Sequence, residues 1–192
     1  MVQQAQHSWY FVCTGNICRS AFAEAYLQRL FNGVAAVHSG GTGVNQALAP
    51  TEEIKTLAAR QGLSLDEHTP RFIEGEELKA HDIVLTATVA HRAQVLAEAP
   101  TLLNRVFTIK EFAQLLPQID VEEIHQEDPS KWWRATARKA SQLRSRVNAP
   151  DNDLDIVDPF KKDMDVYIAS TQEIMEALDI IANVEHMRAS RA

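Results

Sequence analysis

The chain predicts an α/β fold: a four-stranded parallel sheet with helices on both faces. Three observations carry it. Four short apolar runs recur along the sequence, and a helical apolar pattern or a capping signal follows each. The runs are far enough apart for right-handed crossovers between parallel strands. And 192 residues at 45% apolar composition suffice to bury a full core.

Trp9 to Val12 is the first run, short, apolar and aromatic, as a buried strand should be. From Ala21, the residues Phe22, Tyr26 and Leu30, with Ala23, Leu27 and Phe31 beside them, recur at helical spacing. A second strand is expected at Val34 to His38, then a loop "SGGTGVNQALAP", then a helix near Thr51 to Gln61 that stops at Gly62. Asp82 to Thr86, "DIVLT", is the third strand, and Thr88 can cap a helix running to about Glu98. Arg105 to Thr108 is the fourth, and "TIKE" from Thr108 to Glu111 has capping-box spacing. The rhythm then breaks over 117–154. Asp128 and Pro129 start a basic helix expected to run to Val147, with six Lys or Arg and no acid after Asp128. A final helix, Asp163 to about Met187, lines up Met164, Ile168, Met175, Leu178 and Ile181. With no repeat or flexible linker, residues 1–192 read as one domain with a helical insertion at about 117–154.

No run approaches the roughly 18 apolar residues a membrane span needs, and the start lacks the basic segment and apolar stretch of a secretion signal. A cytoplasmic protein without membrane association is expected. Its two cysteines lie too close together to staple a domain of this size. A net charge of -7 argues against nucleic acid as a partner.

The loop after the first strand reads Cys13, Thr14, Gly15, Asn16, Ile17, Cys18, Arg19, Ser20: C-x5-R-S at a strand-to-helix junction. A thiol at a helix N-terminus beside a guanidinium is favoured as its anionic, nucleophilic form. The same backbone N–H groups form a nest for a tetrahedral anion, and Arg19 offers a planar fork to two phosphate oxygens. The loop therefore binds phosphate with phosphorus facing sulfur. Gly15 would supply a positive φ, the Asn16 amide would hold the loop's shape, and the Ser20 hydroxyl would hydrogen-bond the sulfur. Against this stands the plainer reading of Cys13 and Cys18 as small buried apolar residues. A nucleotide P-loop is excluded, since G-x4-G-K-[ST] is absent, and a zinc site lacks a second ligand pair.

"VCTGNICRSAFAEA" resembles the motif of the low-molecular-weight protein tyrosine phosphatases. "HSGGT", "DEHTPR" and "DIVDPF" are similar to the segments that follow it in that family. The resemblance implies a flavodoxin-like sheet, Cys13 as nucleophile, Arg19 as phosphate clamp, and Asn16, Ser20 and Ser39 as the network supporting the loop. It implies no metal and no cofactor. Tyrosine-phosphorylated proteins would be substrates, inorganic phosphate the product, and a bacterial tyrosine kinase the opposing partner. A proton donor must stand near the leaving oxygen. Asp128-Pro129 is accounted for as a helix start, whereas Asp158-Pro159 lies in a loop before the last helix and matches the family's general acid. Asp155 would order that loop and Phe160 would supply an aromatic wall. The resemblance also suggests a reversible Cys13–Cys18 disulfide that shields the nucleophile from over-oxidation.

Rivals remain inside and outside the fold. The protein-arginine phosphatase branch carries threonine where this chain has Ile17, which offers no hydroxyl, so tyrosine is favoured. An arsenate reductase using a small thiol and a non-catalytic phosphate-binding module are the others. Ala21 replaces the family's usual Pro, and "LTATVAHRAQV" lacks its customary Met-Asp. The 117–154 segment resembles that of actinobacterial members. Its helix, with Trp132 and Trp133 at the start, would either dock an acidic phosphopeptide or pack its tryptophans on the domain.

Overall fold

The computed structural model describes residues 6–146 and 151–191. Four parallel strands, β1 (His7–Cys13), β2 (Ala35–Gly41), β3 (Ile83–Thr86) and β4 (Val106–Thr108), lie in the order β2-β1-β3-β4. Seven α-helices surround them: α1 (Arg19–Phe31), α2 (Glu52–Arg60), α3 (Gly75–Ala80), α4 (Val89–Glu98), α5 (Ile109–Leu115), α6 (Pro129–Gln142) and α7 (Met164–Ala189).

Strand pleating divides the core into two. Trp9, Phe11, Val37, Ile83, Leu85 and Phe107 point to the face covered by α1, α5, α6 and α7. Tyr10, Val12, Val84 and Val106 point to the smaller face covered by α3 and α4, where Leu78 and Val95 meet them. Both faces of the short strands are therefore buried, which is why their sequences read as apolar runs without alternation.

Several boundaries differ from those expected. β2 runs on through Ser39, Gly40 and Gly41, residues whose glycines suggested a loop. Gly41 is required there by crowding: a β-carbon would overlap the Thr14 carbonyl oxygen, while the Gly41 N–H donates to the Arg71 carbonyl and the Gly41 carbonyl accepts the Ile73 N–H across the Gly41–Phe72 bridge. The short helix α3 lacks a periodicity long enough to read. α6 stops at Gln142 and yields to a 3-10 turn, Arg144–Arg146, while Val147 lies outside the described residues. In α7, Met164 and Ile168 are exposed, and the buried stripe is Tyr167, Ile174, Leu178 and Ile181. The expected caps are present: Thr88 on α4, Asp128 on α6, and the reciprocal Thr108–Glu111 box on α5.

The tryptophans of α6 pack on the sheet. Trp133 is fully buried, edge-on to Trp9 with ring centroids 4.7 Å apart, and donates its indole N–H to Glu185 at 2.9 Å. Trp132 is buried beside it, so neither indole is offered to a partner. The basic face is largely spoken for: Arg134 bonds Asp82, Lys139 bonds Glu123, and Arg144, just past the helix, bonds Glu111. His7 accepts the Trp9 indole N–H at Nδ1, which leaves its ring proton on Nε2, 3.4 Å from Glu185. Burial would raise the Glu185 carboxyl, but hydrogen bonds from Arg188 and Trp133, with the His7 ring close by, outweigh it and bring the group down to about 2.

Trp133→Ala should therefore cost about 3–5 kcal/mol of stability by opening a cavity and stripping a donor from Glu185. Urea unfolding followed by circular dichroism measures this; a loss below about 1 kcal/mol would contradict the packing described.

Candidate active site

Residues 14–18 leave the carboxyl end of β1 and turn into α1, beside the point where the strand order reverses, which is where open α/β sheets leave a crevice. The turn is made by Asn16 at φ 54°, in the left-handed region that asparagine tolerates. Gly15 is not among the residues with positive φ, contrary to expectation. Its role is steric: a β-carbon there would lie 3.3 Å from Ile17 Cγ1.

The Arg71 backbone N–H donates to Asn16 Oδ1 at 3.1 Å, which fixes the amide's orientation. Nδ2 must then donate, and it reaches Ser20 Oγ at 2.9 Å and Ser39 Oγ at 2.7 Å. Ser39 passes its own proton to the Glu24 carboxylate. The Ser20 hydroxyl, already accepting, has its proton free for Cys13 Sγ at 3.0 Å, closer than its other acceptor, Gly40 O at 3.5 Å. The Asn16 backbone N–H adds a second bond to the sulfur at 3.3 Å. Two donors thus converge on Sγ and orient it at the mouth of the loop. His68 Nε2 donates to the Asn16 carbonyl at 2.8 Å, closing the support from behind.

Arg19 is buried, yet its guanidinium reaches the same cavity. Nη1 donates to Ile156 O at 3.3 Å and Nη2 lies 3.1 Å from Asp158 Oδ2. Asp158 itself is 57% exposed on its side chain, so the pair joins a buried cation to a solvent-facing carboxylate. The loop bearing Asp158 is anchored one turn earlier. Asp155 Oδ1 accepts the Val89 N–H at 2.7 Å, and Ile156 N–H bonds Ala87 O at 2.8 Å. Asp155 therefore orders the loop, as expected of it.

Cys13, Thr14, Gly15, Ile17, Cys18, Arg19, Asp158 and Phe160 line one cavity of 150 Å³, with Gly43, Asn45 and Leu48 on its rim. Asn16, Ser20 and Ser39 stand behind it as the supporting layer. A larger hollow of 650 Å³ beside residues 121–127 holds no comparable chemistry, its Arg188 and Arg191 being paired with Glu185 and Glu122. Among the described residues no cluster of His, Cys, Asp or Glu could hold a metal ion. No described helix is long and apolar enough to cross a membrane. Sequence reasoning missed Glu24, Thr88 and His91 as parts of the site's surroundings. Glu24 could have been found, lying four positions after Ser20 on the same face of α1. The other two face the site only through the fold.

Residues 8–140 match the family model described as low molecular weight phosphotyrosine protein phosphatase. The chain belongs to this family. The phosphatase is 32% identical over 123 residues to the low molecular weight protein-tyrosine-phosphatase Etp of Escherichia coli strain K12, covering 64% of this chain and 80% of that one. Its fold is similar to that of the YwlE arginine phosphatase from Geobacillus stearothermophilus, with a TM-score of 0.69 at 22% identity over 96% of both chains. It is also similar to the tyrosine phosphatase Wzb from Escherichia coli K30 in complex with sulphate, with a TM-score of 0.66 at 20% identity over 92% of this chain and 96% of that one. The family match stops short of Asp158, whose place beside the loop rests on the geometry above.

The two cysteines of the phosphatase differ sharply in surroundings. Burial pushes the Cys18 thiol up to about 11, and its side-chain hydrogen-bond contact, Thr51 Oγ1, is 3.8 Å away. Because a raised thiol stays protonated until the pH approaches its own value, iodoacetamide at pH 7 should label Cys13 in preference to Cys18. Labelling of Cys18 should grow only as the pH nears 11. Peptide mapping by mass spectrometry reads this directly, and equal labelling at pH 7 would contradict it.

Proposed function

We propose that this phosphatase hydrolyses phosphotyrosine in proteins through a phosphocysteine intermediate on Cys13. The observation that carries the reading is the convergence of two hydrogen-bond donors on Cys13 Sγ within a loop whose Arg19 is paired with Asp158 across the same cavity.

In the resting site Arg19 and Asp158 neutralise one another. An arriving phosphoryl dianion competes for the guanidinium, and its charge beside the carboxyl group favours the protonated acid. Sγ then attacks phosphorus in line. The S–P bond forms as the P–O ester bond breaks, and Asp158 gives its proton to the departing phenolic oxygen. The loop N–H groups of residues 14–19 and Arg19 stabilise the charge on the equatorial oxygens. In the second step Asp158, now a carboxylate, takes a proton from water. The new O–P bond forms, the S–P bond breaks, and the Ser20 proton stabilises the departing sulfur. Inorganic phosphate leaves.

Phe160 and Leu48 at the mouth, with Ile17 inside, give an apolar passage that suits a phenyl ring. Ile17 has no hydroxyl for a guanidinium leaving group, which favours tyrosine over arginine. Tyrosine-phosphorylated proteins are then the partners in the reaction, with a tyrosine kinase supplying them. Both cysteines are free thiols, which fits a reducing, cytoplasmic compartment. If a peroxide oxidised Cys13 to its sulfenic acid, the Cys18 thiol would condense with it, forming the S–S bond and releasing water. Packing of α6 on the sheet supports reading the chain as one phosphatase domain, with 117–154 a helical elaboration of it.

Hydrolysis of a phosphotyrosine peptide, a phosphoarginine peptide and an aryl phosphate, with chelator present, tests the reading. Cys13→Ser should abolish turnover of all phosphotyrosine and aryl substrates. Asp158→Ala should slow the tyrosine peptide about 10²–10⁴-fold, and an aryl ester with a good leaving group much less, since that oxygen needs little protonation. Turnover of phosphoarginine alone would overturn the choice of substrate.

A further inference from the structure

Thr14 has a partner outside the loop. Its Oγ1 lies 2.9 Å from Nε2 of His91, and Nδ1 of the same ring lies 2.7 Å from Thr88 Oγ1. His91 is buried in the first turn of α4, so this chain of contacts bridges the loop after β1 and the loop after β3. Burial, and after it the nearby charge of Arg19, brings the imidazole down to about 4, which leaves it neutral with a single N–H.

Which nitrogen carries that proton follows from hydrogen-bond accounting. Thr88 Oγ1 accepts the backbone N–H of His91 at 3.2 Å as the cap of α4. Among the described residues its own proton has no acceptor except His91 Nδ1. Placing the ring proton on Nδ1 would leave the half-buried Thr88 hydroxyl with an unused donor. The tautomer protonated on Nε2 satisfies the Thr88 donor within the protein, and in it the ring donates to Thr14. Thr14 Oγ1, being an acceptor there, keeps its own proton, and Thr14 is exposed to the cavity that holds Cys13, Arg19 and Asp158. Its methyl group stands toward Gly43, where a β-carbon would lie 3.4 Å from Thr14 Cγ2. In that tautomer the hydroxyl keeps a proton to offer on a side chain that lines the cavity.

We propose that His91 is a positioning residue that makes the Thr14 hydroxyl a hydrogen-bond donor to an anionic oxygen of the bound phosphoryl group. The inference rests on the phosphatase reading only for the identity of that ligand. A hydroxyl donating to a charged oxygen is worth enough to change affinity about tenfold or more.

The test measures inorganic phosphate binding by calorimetry, and KM and kcat on an aryl phosphate, for the full chain and for Thr14→Val, His91→Ala, His91→Gln and the double variant Thr14→Val/His91→Ala. Thr14→Val, which conserves shape, should weaken phosphate binding about tenfold and raise KM correspondingly. His91→Ala should do the same. Because both remove one interaction, the double variant should bind phosphate within about twofold of either single variant. His91→Gln, which retains an N–H donor, should recover part of the affinity. Should His91→Ala fail to fold, Thr14→Val and His91→Gln still decide the matter. Wild-type affinity in Thr14→Val would overturn the inference, as would single losses that multiply to about a hundredfold. A loss confined to Thr14→Val would overturn the part assigned to His91. A wild-type chain that binds phosphate through Thr14 yet turns over no ester would reject the phosphatase reading and leave this one standing.

Discussion

Asn16 stands in a backbone conformation that few side chains accept, with every polar atom of its amide engaged and its own carbonyl bonded to His68. The geometry of the sulfur depends on that residue. Were the amide rotated, Oδ1 would face two hydroxyls and Nδ2 would face the Arg71 N–H, setting donor against donor. Ser20 would then have another place to send its proton. The orientation is set from outside the loop by the Arg71 backbone, which is itself held by Gly41 and by its guanidinium bond to Ser39 O at 2.8 Å. The reactive loop is thus shaped by segments 23 to 55 residues further along the chain.

The sheet order explains how so many remote segments converge. With β1 and β3 adjacent and β2 on the other side of β1, the chain leaves β1 toward one side and later returns past it. The loops after these strands open a crevice at their carboxyl ends. The loop after β1 supplies Cys13 and Arg19, the end of β2 supplies Ser39, and the loop after β3 supplies Thr88 and the anchors for the segment bearing Asp158. That last segment has no regular structure of its own. It is tethered by Asp155 and Ile156, which fixes its approach while leaving Asp158 open to solvent.

Most of this architecture was legible in the sequence because it is written in local chemistry. Caps at Thr88, Thr108 and Asp128 announce helices through side-chain oxygens that satisfy nearby N–H groups, and apolar runs announce buried strands. What escaped was decided by contacts between distant residues. The glycines at 40 and 41 read as a loop because local preference says so, but the close passage of Thr14 requires a residue without a β-carbon. The exposed Met164 and Ile168 of α7 read as core because periodicity cannot say where the covering layer ends. Gly15 drew the positive φ by its type, whereas Asn16 takes it because its side chain is then aimed at Ser20 and Ser39. His91 gave no sign, since a histidine early in a helix has no meaning until the fold brings Thr14 to it.

Strand β1 joins two neighbourhoods of different character. At its start His7 and Trp9 belong to the aromatic cluster closed by Trp133 and Glu185. At its end Cys13 belongs to the polar network of the loop. Seven residues of extended chain keep the two about 20 Å apart. Changes at that distance without shared partners combine nearly additively. The molecule can therefore trade stability at one end of a strand without disturbing reactivity at the other, and a lineage carrying this fold is free to renovate its foundations while its chemistry stays in service.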